Sequence, residues 1–297
     1  MTAILLLGAN GQVGWECRRS LSLLGSVDSR TRIDVGGDLT QPDAVAQHIR
    51  DTRPSVVVNA AAYTAVDKAE SDTDTARLVN ATAVGAMAGA CREVGALLVH
   101  YSTDYVFSGE GDAPWPVNAP TAPLNAYGLT KWEGEEAVRA SGCQHLIFRT
   151  CWVYAARGGN FAKTMLRLAG EREALSVVAD QFGAPTGADL IADVTAHAII
   201  QARREGGSGT YHLAASGVTS WHDYARFAIT RARANGWPIR VADESIAPVT
   251  TNAFPTPARR PGNSRLDTTE LQQRFGLTLP DWQSGVARMI DELPLPV

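Results

Sequence analysis

The chain has 297 residues, 45% of them hydrophobic and 20% charged, with a formal net charge of -4. That balance suits a soluble globular protein of one large domain or a domain plus a lobe, and it leaves no basic stripe for a nucleic-acid partner. The apolar run Ile4 to Leu7 is short and lacks a preceding positive segment, so neither a signal peptide nor a membrane span is expected, and the chain reads as cytoplasmic.

Ala3 to Leu7 is continuously apolar, as a central strand buried on both faces requires. Gly8-Ala9-Asn10-Gly11-Gln12-Val13-Gly14 follows and opens a helical pattern through Leu24. Gly8 suits a tight turn, Gly11 a close backbone approach to a pyrophosphate, and Gly14 a helix packed hard on the sheet. Backbone N–H groups at that helix start would hold the negative charge. A second strand is read over Ser26 to Arg32. An acidic residue at its end would favour NADH and an arginine NADPH. Arg30 and Arg32 stand near that point and Asp28 slightly before it, so NADPH is favoured and NADH stays open.

Asp38 and Leu39 are placed along an adenine ring, ahead of a helix from Asp43 to Arg50 begun by Pro42. Ser55 to Ala62 is a buried strand running into small residues, where the chain can pass close to a flat ligand. A long helical segment, Asp74 to Val94, comes next, with Asn80 on its flank. Leu97 to Thr103 is another strand; a loop with Pro114, Pro116, Pro120 and Pro123 follows. A helix from Tyr127 to about Ala140 and the strand Leu146 to Thr150 complete the alternation. Strand and helix alternate from residue 3 to 150, which predicts an α/β, doubly wound parallel sheet of Rossmann-like form. Ligands on such sheets sit at the carboxyl ends of strands. Gly8–Gly14, Ala62–Thr64, Ser102–Asp104 and Thr150–Tyr154 should therefore share one crevice.

Beyond Thr150 the pattern changes. A helix over Asn160–Ala169, a strand at Leu175–Val178, a turn at Gln181–Thr186 and a helix capped by Asp189 precede the strand Gly209–Ala214. A dinucleotide-binding domain is expected over residues 1–150, with part of 176–215 returning to it. Residues 151–175 and 216–297 are expected to form a smaller substrate-binding lobe. Cys17, Cys91, Cys143 and Cys151 form no CxxC pair and read as buried reduced thiols.

Tyr127 and Lys131 lie four apart, on one face of their helix. A phenol is a poor acid at neutral pH, with a reference pKa of about 10. An ammonium beside it would favour the phenolate and bring proton transfer within reach near neutrality.

With the glycine turn, Ser102-Thr103-Asp104 at a strand end and Tyr127xxxLys131 after a loop, the chain resembles the extended short-chain dehydrogenase/reductases. Asn59 to Glu70, Tyr101 to Phe107, Phe148 to Tyr154, Gln181 to Thr186 and Arg260 to Leu266 narrow the likeness to the dTDP-4-dehydrorhamnose reductases, over essentially the whole chain. That family reduces the C4 keto group of a dTDP-linked 6-deoxy-hexulose, giving dTDP-L-rhamnose for surface polysaccharide. The resemblance implies Tyr127 as proton donor, Lys131 as the nicotinamide-ribose and pKa-lowering residue, and Thr103 as the hydroxyl on the substrate carbonyl. It implies sugar contacts for Asp104 and Trp152. Gly11, Gln12 and Val13 would hold the pyrophosphate, Asp38 and Leu39 the adenine, and Ala62, Tyr63 and Thr64 the wall beside the cofactor. Asn263 and Arg265 are implied near the nucleotide diphosphate, or else are surface residues. A homodimer is implied, with a magnesium ion at the dimer contact held by Glu16, Asp189 and Asp291. Two other readings stand beside it: a non-catalytic dinucleotide-binding regulatory subunit, and a nucleotide-sugar epimerase or dehydratase. Tyr105 in place of a glutamate after Asp104 disfavours a dehydratase.

Overall fold

A computed structural model of the chain describes residues 2–295, so residue 1 of the expected domain and residues 296–297 of the expected lobe lie outside it. Six strands form the main sheet: β1 (Thr2–Leu7), β2 (Gly25–Arg30), β3 (Val56–Asn59), β4 (Leu97–Thr103), β5 (His145–Thr150) and β6 (Gly209–His212). Their order is β6-β5-β4-β3-β1-β2, and every neighbouring pair is parallel. The larger helices are α1 (Gln12–Leu21), α2 (Pro42–Thr52), α3 (Ala83–Val94), α4 (Ala126–Ser141), α5 (Phe161–Glu171), α6 (Ala188–Glu205), α7 (Trp221–Ala234) and α8 (Trp282–Glu292).

Helices cover both faces of the sheet, which is why the central strands β1 and β3 are apolar on both sides over Ile4–Leu7 and Val56–Val58. Ile4, Leu6, Val56 and Val58 pack toward Cys17 and Leu21 of α1 and Ile191 and Ala198 of α6. Leu5, Leu7 and Val57 pack toward Val45 of α2, Met87 of α3 and Val138 of α4. The chain winds outward in both directions from β1, so the switch in strand order falls between β1 and β3. Crevices at such points are where α/β sheets bind ligands.

The expected single helix from Asp74 to Val94 is interrupted. Thr73–Arg77 is α-helical, Leu78–Thr82 is a π-turn, and α3 resumes at Ala83. The helix expected to be capped by Asp189 has Gly187 at its N-cap, and Asp189 lies in its first turn. The expected turn Gln181–Thr186 carries two short strands, Phe182–Gly183 and Thr186–Gly187. They pair with Thr219–Ser220 and Val153–Tyr154 outside the main sheet. Leu175–Val178 pairs in parallel with Ile246–Val249, also away from it. From the 176–215 segment, α6 packs on the main sheet and β6 extends it. A separate apolar cluster joins Leu166 of α5, Tyr224 and Ile229 of α7, and Val286 and Ile290 of α8. No helix among the described residues is long and apolar enough to cross a membrane. All four cysteines are free and buried.

Candidate active site

The glycine turn has the geometry its residues require. Gly8 has φ +77°, and a Cβ there would come 2.6 Å from Ala61 N. A Cβ on Gly14 would come 2.1 Å from the Gly8 carbonyl oxygen, so α1 could not pack here with any side chain at that position. The first turn of α1 carries no acidic residue. The Gln12 Oε1 beside it is buried and finds no hydrogen-bond partner among the described residues. A glycine cradle, a helix N-terminus free of acid and an orphaned polar atom together fit a dinucleotide.

Around this turn the strand ends converge. Ala9 N–H donates to the Arg30 carbonyl at the end of β2, and Ala60 N–H donates to the Leu7 carbonyl. Arg30 is already engaged: Nε and Nη2 reach both carboxylate oxygens of Asp28 at 2.8 and 2.9 Å. Arg32 is 76% exposed and only 3.5 Å from Asp38, so it is the more available cation. Asp38 folds back on Thr40, accepting from its N–H and hydroxyl, while Leu39 is buried. Past β3, Tyr63 is clamped by Asn80 from the π-turn. Asn80 Oδ1 accepts from Tyr63 N–H at 2.9 Å, and its Nδ2 donates to the Tyr63 carbonyl at 3.1 Å. That clamp fixes the Ala62–Thr64 segment. From sequence Asn80 read only as a polar residue on a helix flank, since a π-turn has no clear signature in composition.

Tyr127 is placed by the start of α4. Asn125 caps the helix, its Oδ1 accepting from Gly128 N–H at 2.8 Å, and its Nδ2 donates to the Arg259 carbonyl. Gly128 lies against the turn after β4, where a Cβ would come 2.2 Å from the Tyr105 carbonyl oxygen. Nearly two turns further in, a Cβ on Gly134 would come 2.1 Å from the Asn80 carbonyl oxygen. Two bare helix positions thus bring Tyr127 against the end of β4, edge-on to Tyr105 with ring centroids 5.6 Å apart.

Thr103 and Asp104 form that strand end. The Thr103 hydroxyl accepts from Tyr105 N–H and donates to Asp104 Oδ1 at 3.1 Å. Burial pushes the Asp104 carboxyl up to about 7, with Ser264 and Thr103 pulling it back. Its Oδ2 is buried without a partner among the described residues. Burial also raises the Tyr127 phenol well above its ordinary value; the Thr103 hydroxyl opposes this, and Asp104 and Tyr105 reinforce it.

Lys131 departs from the expected pairing with the phenol. Its Nζ turns beneath the helix, donating to the Tyr101 carbonyl at 2.5 Å and lying 3.3 Å from His100 Nε2. Burial brings it down to about 8, with Glu135 acting the other way. The charge acting on Tyr127 is therefore that of its carboxylate neighbour, and the phenol keeps its proton at neutral pH. One turn along α4, Glu135 forms a buried two-bond pair with Arg149 of β5, at 2.9 and 2.7 Å. Arg149 also donates to the Val117 carbonyl, tying the proline-rich loop to the sheet. Both residues went unremarked in the sequence, where partners 14 apart on different elements carry no local signal.

Trp152 has φ +48° and stacks on Trp221, with ring centroids 3.6 Å apart and planes 15° from parallel. It stays half-buried just past the end of β5. Asn263 is buried. Its Nδ2 donates to the Ala113 carbonyl at 2.8 Å, and its Oδ1 accepts from Arg265. The Arg265 guanidinium lies over Phe182, 4.5 Å from the ring centroid.

The magnesium set does not assemble. Asp291 points to Arg231 Nε at 2.7 Å and Asn235 Nδ2 at 2.7 Å, lining a cavity with Trp237 and Leu293. Glu16 and Asp189 line a different cavity, together with Glu292. Adjacent helix residues point about 100° apart, so Asp291 and Glu292 face different neighbours. Arg288 lies among the carboxylates, 3.4 Å from Asp189 and 2.9 Å from Glu292. It already supplies positive charge there. Among the described residues no three His, Cys, Asp or Glu side chains gather to hold a metal ion. The expected set Glu16, Asp189 and Asp291 therefore does not gather within one chain, and the chemistry of the site needs no metal ion.

Comparison with known proteins finds relatives over nearly the whole chain. Residues 1–295 match the family model described as the RmlD substrate binding domain. A dTDP-4-dehydrorhamnose reductase of Shigella flexneri is 56% identical over 293 residues, covering 98% of this chain and 97% of the relative. One from Burkholderia thailandensis is 52% identical, covering 98% of each. A crystal structure of dTDP-4-dehydrorhamnose reductase from Bacillus anthracis in complex with NADP superposes with a TM-score of 0.87 at 34% identity, covering 98% of this chain and 100% of that one. The chain belongs to the dTDP-4-dehydrorhamnose reductase family.

Proposed function

We propose that this protein reduces the C4 keto group of dTDP-4-dehydro-6-deoxy-L-mannose (dTDP-4-dehydrorhamnose) to dTDP-L-rhamnose with NADPH, Tyr127 giving the proton. The observation that carries the proposal is the meeting of Tyr127, Thr103 and Asp104 at the end of β4, one strand from the switch point of the sheet. Gly8, Gly11, Gln12, Val13 and Gly14 would hold the pyrophosphate, Asp38 and Leu39 the adenine, and Ala62, Tyr63 and Thr64 the cofactor wall. Arg32, with Arg30 held by Asp28, would meet the extra phosphate. When bound, NADPH supplies hydride to the sugar carbonyl carbon.

The protein's own part is to hold the carbonyl and deliver a proton. Negative charge grows on the carbonyl oxygen during reduction, and donors already aimed at it stabilise it. Tyr127 is protonated at neutral pH, because burial disfavours the phenolate, so it has a proton to give. The Thr103 hydroxyl, which donates to Asp104 Oδ1 in this structure, would turn to give the carbonyl a second donor. Lys131 fixes the nicotinamide ribose from the buried side of α4. Asp104, with a free carboxylate oxygen, takes a sugar hydroxyl. Trp152 packs against the sugar, and the lobe of residues 151–175 and 216–297 encloses the nucleotide. The enzyme works in the cytoplasm as a homodimer. Mixing protein, NADPH and the dTDP-4-keto-6-deoxy sugar tests the function: absorbance of the reduced cofactor should fall in proportion to sugar added. Conversion of the sugar without consumption of NADPH would mark an epimerase, and no conversion would sink the reading.

A further inference from the structure

Lys131 has one partner whose chemistry the reduction does not explain. His100 is fully buried on β4, with Nε2 facing Lys131 Nζ at 3.3 Å and Nδ1 facing Asn59 Nδ2 at 3.2 Å. Asn59 is itself fixed, because its Oδ1 accepts from Ala61 N–H at 3.1 Å. With the amide oxygen on the backbone, the amide nitrogen faces the imidazole. An amide NH2 only donates, so His100 Nδ1 must accept. A neutral imidazole has one donor and one acceptor, which puts the ring proton on Nε2, pointing at Lys131.

An ammonium has three donors and no lone pair. Facing an Nε2–H, it would set donor against donor in a buried site. The arrangement is satisfied when Lys131 is the neutral amine, accepting from Nε2–H and donating to the Tyr101 carbonyl. The ammonium is satisfied only when Nε2 is bare. The ring proton is then on Nδ1, and Asn59 must turn to offer it Oδ1. That turn takes the acceptor away from Ala61 N–H, whose nitrogen is 2.6 Å from where a Gly8 Cβ would sit.

We propose that His100 and Asn59 form a tautomer lock that couples the protonation of Lys131 to the Ala61 amide against the glycine turn. His100 acts through Lys131 and is a positioning residue for the reduction. The proposal rests on Tyr127 and Lys131 being the working pair. Its proton count is simple: one proton leaves Lys131 for solvent, and the ring proton of His100 moves from Nδ1 to Nε2. Lys131 titrates near the working range, lowered to about 8, and His100 stays neutral, held well below its ordinary value by burial and by Lys131. The other charged group acting on Lys131 is Glu135 on its own helix. Glu135 is held as a carboxylate by Arg149 of β5 and Arg139 of α4.

Nitrogen NMR of histidine-labelled protein reads the tautomer directly, in the full chain and without cofactor. His100→Gln assigns the signal; if that variant fails to fold, the signal that moves in Lys131→Met assigns it. Between about pH 6 and about pH 10, His100 should change from the Nδ1–H to the Nε2–H tautomer as Lys131 loses its proton. In Lys131→Met it should hold the Nε2–H form throughout. Asn59→Asp gives Nδ1–H a permanent acceptor, so the limb of kcat/KM that reports Lys131 should move up by about one pH unit or more. One His100 tautomer across the whole range, or an Asn59→Asp variant that is slower with an unmoved limb, would overturn the lock. Full turnover in Tyr127→Phe would overturn the working pair instead, while the NMR result still decides the lock.

Discussion

Replacing Asp104 by asparagine should make the protein more stable at alkaline pH while weakening it as an enzyme. The carboxyl is buried, its Oδ2 lacks a partner among the described residues, and burial holds it at about 7. A folded-state value raised above the unfolded one means that the fold favours the protonated acid. The resulting stability is fully present below the unfolded value of about 3.9 and is lost as pH rises through about 7. The shift is about three units, or about 4 kcal/mol at 1.36 kcal/mol per unit. Asparagine keeps the shape and the acceptor that Thr103 uses, and it never ionises. The variant and parent should therefore be similar near about pH 4, and the variant should gain up to about 4 kcal/mol by about pH 8.5. For a chain of this length that is roughly 7 °C in Tm. Thermal melts of both proteins across this range, without ligands, measure the difference. Parallel Tm curves would refute the reasoning, since they would mean that the carboxyl titrates normally. The KM for the sugar should rise in the same variant, because the carboxylate offered to the hydroxyl is gone.

Gly128→Ala should nearly abolish turnover, because the new Cβ would drive α4 off the Tyr105 carbonyl and move Tyr127 with it; circular dichroism would check that the fold survives. Glu135→Gln should destabilise the protein by about 3–5 kcal/mol in urea melts, since Arg149 is left as a buried charge without its counterion. Glu135 is held below its ordinary range despite its burial, so its contribution should be lost as pH falls through that depressed value. Arg32→Ser should raise the Kd for NADPH about tenfold and leave NADH binding unchanged, because Arg30 is already neutralised by Asp28. Fluorescence titration with each cofactor separates the two.

The layered architecture was legible because its signals are local and strong. Continuous apolar strands, glycines at 8 and 14 and the four-residue spacing of Tyr127 and Lys131 each follow from one stretch of chain. What escaped depends on contacts across the fold. The spacing of Lys131 from Tyr127 says that they share a helix face, but not that Nζ finds a better acceptor in the Tyr101 carbonyl and His100 behind it. The π-turn at Leu78–Thr82 advances the helix so that Asn80 meets Tyr63, and nothing in those five residues announces it. Asp291 and Glu292 are neighbours in sequence yet line different cavities, so the expected place of Asp291 beside Glu16 and Asp189 depended on a helix face that the sequence does not show. The place of the Trp152 ring depends on a left-handed backbone and a stack with Trp221, 69 residues on, neither of which the sequence announces.

Proton delivery from Tyr127 is tested most directly by single-turnover oxidation of bound NADPH in Tyr127→Phe with the dTDP-4-keto-6-deoxy sugar. Cofactor affinity should match the parent, and the rate should fall by about 100-fold or more, as loss of a general acid demands. A rate within a few-fold of the parent would show that the proton comes from elsewhere.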